Sequence, residues 1–158
     1  MSKNYSMLRK QILQEPIAQK GQWLDLASLA RFEMSSEDAD DPIDNALKED
    51  TRSWRAAEDG PQTIRITFDS PQTISRIVVV FEENDHSRTQ EFALSWRSSE
   101  NSEWREIVRQ QFNFSPPNST IEREEFNVSI KDAIAVELRI VPNISGDGRA
   151  SLRELLIG

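Results

Sequence analysis

The chain has no cysteine and a single histidine, His86. These two scarcities exclude a disulfide scaffold, a thiolate or multi-histidine zinc site and a cysteine nucleophile. Glycine is nearly as sparse, at five residues, and forms no glycine-rich phosphate cradle. With no G-x-S-x-G elbow, a serine mechanism would have only His86 as its base. Two-carboxylate glycoside chemistry stays open on composition, because 27 acidic residues offer many pairs, but no pair is singled out. The reading is therefore of a protein that is not an enzyme. Basic residues are the minority, 19 against 27, and the formal net charge of −8 argues against non-specific nucleic-acid binding. No run approaches the ~18 apolar residues a membrane span needs, and the polar start MSKNYSMLRKQILQEP lacks the apolar stretch of a secretory signal. On these grounds the chain reads as cytoplasmic, with no membrane span.

What is present is enough to fold. Leu, Ile, Val and Phe make up 39 of the 158 residues, about a quarter and above the roughly 20% below which burial fails to offset chain entropy. Residues 3–14 place Met7, Leu8 and Ile12 near helical spacing before Pro16, so a short N-terminal helix is expected within a segment 1–22. From residue 23 onward the period becomes two. Ile64, Ile66 and Phe68 alternate with polar residues, Asp69-Ser70-Pro71 turns the chain, and Ile74 to Phe81 is apolar enough for a central strand. Phe92-Leu94-Trp96, Phe126-Val128-Ile130 and Ile134-Val136-Leu138-Ile140 repeat the alternation. Ala150 to Ile157 forms a last segment after the turn Ser145-Gly146-Asp147-Gly148. Together with Trp23 to Met34 and Trp104 to Phe112, this spacing predicts an all-β jelly-roll sandwich of about eight antiparallel strands over 23–158.

Two long connections interrupt the pattern. Ser35 to Gly60 holds most of an acidic stretch, Glu33 to Asp59, with ten carboxylates against Lys48, Arg52 and Arg55. A helical turn is expected within it at Pro42 to Leu47, capped by Asp41 with Pro42 in the first helical position. The second connection is Phe112 to Thr120. Irregular loops on a rigid sandwich are the usual place for function. The first candidate site is the loop Glu82 to Arg88, where Glu82 accepts, Arg88 offers a planar donor fork and His86 does either. The plain alternative is a solvated hairpin. Gln111, Phe112 and Asn113 form the second, an aromatic platform flanked by amides, with the alternative that Phe112 points inward. Trp54, Trp96 and Trp104 are read as core or rim, with Trp54 plugging one end of the sandwich.

The ordered pieces Asn45-Ala46-Leu47 with Trp54, Phe92-Ala93-Leu94-Ser95-Trp96, Trp104 and Ala150-Ser151-Leu152-Arg153-Glu154-Leu155 resemble the galactose-binding-like jelly rolls. That group contains the discoidin or coagulation factor V/VIII type C domains and the family 32 carbohydrate-binding modules. The resemblance implies a non-catalytic module that holds a carbohydrate or glycan in its end loops. In many relatives the acidic loop also holds a structural calcium, and the matching positions here are Asp50, Thr51 and Glu154. The family's usual Asp-Gly is replaced by Lys48-Glu49, which favours a metal-free loop neutralised by Lys48 or Arg52. A shorter likeness, Leu47-Lys48-Glu49-Asp50-Thr51 with Trp54-Arg55-Ala56-Ala57, is to the N-terminal domain of a single-strand-break repair scaffold. It implies an intracellular protein partner instead.

Overall fold

A computed structural model describes residues 23–48 and 52–158. The helix expected over 3–14, and with it the segment 1–22, lies outside the described residues, as do Asp50 and Thr51. The expected all-β antiparallel sandwich is what the rest forms. A one-turn helix α1 (Leu26–Leu29) leads into β1 (Ala30–Met34), so the first segment is not strand throughout. The strands that follow are β2 (Trp54–Asp59), β3 (Gln62–Glu82), β4 (Arg88–Arg97), β5 (Arg105–Phe114), β6 (Ile121–Val141), β7 (Arg149–Leu152) and β8 (Glu154–Ile157).

Two of them are long because each serves both layers. The first half of β3 pairs with β1 and with the second half of β6; its second half pairs with the first half of β6 and with β8. Asp69-Ser70-Pro71 is thus a bend within one strand, not the end of one, and register shifts between Thr67 and Arg76 absorb it. On β6 the matching bend holds Asp132, at φ +59°, a conformation that Asp tolerates better than most residues. The layer built on β1, β3, β6, β4 and β5 faces the one built on β6, β3 and β8, and β2 pairs with β7. The last predicted segment divides at Arg153, whose N–H donates to Val80 O (2.8 Å), so β7 and β8 take different partners.

Alternation predicts which side chains are inside. Ile64, Ile66, Phe81, Phe92, Leu94, Leu138 and Ile140 are fully buried in one core, and Trp54 closes it with no exposed surface. Trp96 and Trp104 are half-buried at the rim, Trp104 lying under Arg97 at 4.5 Å and Arg65 at 5.3 Å. The turn in the acidic connection is a 3-10 helix, Ile43–Leu47. Pro42 is its N-cap and makes no side-chain capping bond, so the role expected of Asp41 is not filled. Glu37 instead accepts the Ile43 N–H at 2.6 Å. Among the described residues no helix is long and apolar enough to cross a membrane.

Candidate functional site: a polar cleft at one end of the sandwich

Where β3 gives way to β4, and β6 to β7, two loops face each other across the end of β2. Between them is a cleft of about 520 Å³, whose lining includes Arg55, Asp59, Asp85, His86, Asn143 and Asp147. A smaller hollow of about 190 Å³ adjoins it, sharing Arg55, Glu83, Asp85 and Arg149 and adding Glu82.

Charged groups at the base are engaged in holding the loops. Glu83 turns its carboxylate back on its own loop, accepting the N–H groups of Asp85 (3.0 Å) and His86 (3.3 Å) and the Nε of Arg88 (2.7 Å). Burial pushes this carboxyl up. The N–H donors and the Arg88 guanidinium outweigh that and hold it below the ordinary carboxylate range. Arg88 is itself buried, stacked over Phe114 at 4.8 Å. Its Nη1 donates to Pro142 O (2.5 Å) and to Gln90 Oε1 (3.0 Å), which fastens the β6–β7 loop to the β3–β4 loop.

Across the cleft, Asp147 accepts the Ser145 hydroxyl (2.7 Å) and the Asn143 amide (3.0 Å). The Ser145 bond above all, with its own N–H and Asn143, holds its carboxyl low against partial desolvation. Gly146 and Gly148 sit at φ +100° and +86°, which only glycine adopts without strain, and let the turn close. Arg149 donates to Ala56 O through Nε (2.8 Å) and Nη2 (2.5 Å), and to Asp38 Oδ2 (2.7 Å). The acidic connection is thereby pinned to the cleft wall. Asp38, which also accepts the Asp40 N–H, is held below its ordinary range by that bond first and by Arg149 second.

Arg55, Asp59, Asp85 and His86 remain exposed at the mouth. Together they offer a planar donor fork, two carboxylate acceptors and an imidazole able to do either. No Phe, Tyr or Trp is among the lining residues, so the groups the cleft presents are chiefly hydrogen-bonding ones.

Of the residues singled out from sequence, His86 and Arg88 line the cleft and Glu82 borders the adjoining hollow, paired with Arg153 at 3.1 Å. Gln111, Phe112 and Asn113 belong to β5 and not to a loop, and none lines the cleft. Gln111 reaches Glu91 (3.4 Å), Phe112 packs edge-on against Phe114 at 4.9 Å, and Asn113 accepts the Thr89 hydroxyl at 2.6 Å. Arg55, Asp59, Asn143, Asp147 and Arg149 were not singled out. The signals available are Trp54-Arg55-Ala56-Ala57, which carries the repair-scaffold likeness, and Ser145–Gly148, whose composition marks a turn. Glu154 lies on β8, and among the described residues no group of three or more His, Asp or Glu side chains is placed to hold a metal.

The fold is an antiparallel β-sandwich with a polar cleft between loops at one end. The F5/8 type C domain family matches residues 31–155, and the chain belongs to that family. A search of curated protein sequences found no match. Among solved structures, the chain is similar to the family 32 carbohydrate-binding module of AlyQ in complex with 4,5-unsaturated mannuronic acid. The identity is 21% and the TM-score 0.60, over 83% of this chain and 95% of that one. It is also similar to the third such module of a family 31 glycoside hydrolase from Clostridium perfringens (21%, TM-score 0.61, over 89% and 96%). A third is the family 32 module of C. perfringens NanJ in complex with galactose (15%, TM-score 0.61, over 85% and 96%). At such identities the likeness is one of fold.

Proposed function

We propose that this chain is a non-catalytic carbohydrate-binding domain that takes a neutral, hydroxyl-rich sugar in the cleft between residues 83–88 and 143–149. The observation that carries this reading is the cleft's mixture of exposed donors and acceptors on loops already fastened by Glu83, Arg88, Asp147 and Arg149. Vicinal hydroxyls each donate and accept, and a site that fixes both kinds of group beforehand loses little entropy on binding them. Among the lining residues Asp59, Glu83, Asp85 and Asp147 outnumber Arg55, Arg88 and Arg149, and the whole chain carries −8. An acidic sugar would meet net repulsion there, so the neutral class fits better than a uronate.

The sugar complexes among the similar structures, one with a uronic acid and one with galactose, support carbohydrate as the ligand but not the choice of a neutral one, and the repair-scaffold reading gains no support from the comparisons. A shallow polar site implies a Kd on the order of mM for a monosaccharide. A glycan array holding neutral and uronate sugars, with calorimetry of the hits on the full chain and on Arg55→Ala and His86→Ala, tests the proposal. Neutral hits weakened by either substitution support it. No hits, uronate-only hits, or hits indifferent to both substitutions overturn it.

A further inference from the structure

Behind the cleft the sandwich interior is not wholly apolar. Arg88, Gln90 and Glu122 are buried side by side, with 8, 0 and 1% of their surfaces exposed. They form a chain of hydrogen bonds with one direction. Arg88 Nη1 donates to Gln90 Oε1 (3.0 Å), and Gln90 Nε2 donates to Glu122 Oε1 (3.3 Å). Glu122 Oε2 has no partner among the described residues. The far end of the chain is Arg88, which joins the two cleft loops through Glu83 and Pro142.

The charged groups that bear on Glu122 come from two sides. On its own strand Glu124, which accepts from Gln110 of β5, opposes its ionisation. On β4 Arg88 favours ionisation, and Gln90 supports it by donating a hydrogen bond. Its partner in the β3 ladder is the apolar Phe81. In register just beyond, Glu82 is held by Arg153 and Glu83 by Arg88. Burial with one long hydrogen bond disfavours the charge most of all, and the carboxyl is pushed up to about 7.

The polarity of the chain gives that proton a consequence. An ionised carboxylate only accepts, which sets the Gln90 amide with nitrogen toward Glu122 and oxygen toward Arg88. A protonated carboxyl carries a donor, and the nearest acceptor in the chain is the Gln90 oxygen. If the amide turns over to receive it, its NH₂ faces the Arg88 guanidinium, donor against donor, and the Arg88–Gln90 bond is lost.

We propose that Glu122 is a proton-responsive positioning residue for the cleft: its ionised form sets Gln90 and, through Gln90, holds Arg88 and the two loops in the binding arrangement. Only the ligand consequence rests on the carbohydrate reading, namely weaker sugar binding once Glu122 is protonated. The linkage itself can be tested without a ligand. In ¹⁵N and ¹³C NMR of the whole chain between pH 5.5 and 8.5, the Glu122 side-chain carboxyl carbon, the Gln90 amide and the Arg88 Nε–H should move through one shared transition near neutrality. The Gln90 and Arg88 transitions should vanish in Glu122→Gln, which retains His86. The proposal is overturned if Glu122 titrates while Gln90 and Arg88 stay still, if Glu122 does not titrate in that range, or if the transition persists in Glu122→Gln. Should that variant not fold, the three wild-type signals decide alone. A galactose titration at pH 6 and pH 8 adds the ligand arm. Binding that weakens at pH 6 in the wild type but not in Glu122→Gln supports the proposal, and equal wild-type binding at both pH values overturns its ligand consequence. Absence of binding at both counts against galactose as the ligand while the NMR linkage stands or falls by itself.

Discussion

Replacing Glu122 by glutamine should stabilise the protein at pH 8 relative to pH 5, and the size of the effect follows from its surroundings. A glutamate carboxyl ordinarily ionises near 4.5; here desolvation, aided by Glu124, moves that to about 7. Between those two values the folded protein binds a proton that the unfolded chain has released, so stability falls as pH rises and levels off above 7. At 1.36 kcal/mol for each pH decade the full displacement is worth at most about 3–4 kcal/mol, of which ~2–3 kcal/mol falls between pH 5 and 8. Glutamine does not titrate, so the variant lacks this loss. Its amide still needs an acceptor beside Oε2, which lowers its stability by ~1 kcal/mol or more at every pH. The informative quantity is therefore the pH dependence of the difference. Glu83 and Glu125, whose carboxyls are held low, lose their stabilisation only below the ordinary carboxylate range, and groups common to the two proteins cancel in the difference. Urea unfolding of both proteins at pH 5, 6, 7 and 8 measures it. The difference should move by about 2–3 kcal/mol in favour of Glu122→Gln across the series, and a difference independent of pH would refute the reasoning.

Three further outcomes are expected. Arg149→Leu removes the donors on the buried Ala56 carbonyl as well as the Asp38 pair, so urea unfolding should show a loss of about 2–4 kcal/mol. Asp38→Asn, which keeps an acceptor, should cost much less, and equal losses would contradict this assignment. Trp54→Ala should cost ~3–5 kcal/mol, because its side chain is fully buried, and Trp54→Phe clearly less, because Trp54 Nε1 has no partner to lose. A chelator should leave the melting temperature unchanged if the acidic connection is neutralised by the protein's own cations, as Asp38 Oδ2 is by Arg149 Nη2 (2.7 Å). A drop restored by millimolar calcium would instead assign a metal site to that connection.

Much of the fold was legible because alternation is a direct consequence of a pleated strand with one buried face. Ile64-Ile66-Phe68 and Val136-Leu138-Ile140 are inside, as the pattern requires. What alternation does not encode is continuity. Asp69-Ser70-Pro71 has the composition of a turn, yet the long-range ladder to β6 and β8 carries the strand through it as a bend. The site was only partly legible for a similar reason. The β3–β4 loop announces itself by charge, but the opposite wall comes from Asn143 and Asp147, about sixty residues on, and from Arg55, thirty residues back. Only topology brings these together. Phe112 and Asn113 looked like loop residues because Pro116-Pro117 follows them, whereas pairing with β4 extends β5 to Phe114. Arg88 was read as an open donor fork. Its burial beneath the cleft, bound to Glu83 and Pro142 O, makes it part of the scaffold that shapes the site.

The most direct test of sugar binding at this cleft is ¹⁵N chemical-shift mapping of the full chain with a saturating neutral sugar taken from the array. The account predicts shifts concentrated at Arg55, residues 83–88 and residues 143–149, with Gln111, Phe112 and Asn113 unmoved. Shifts centred on β5, or none at any sugar concentration, would contradict it.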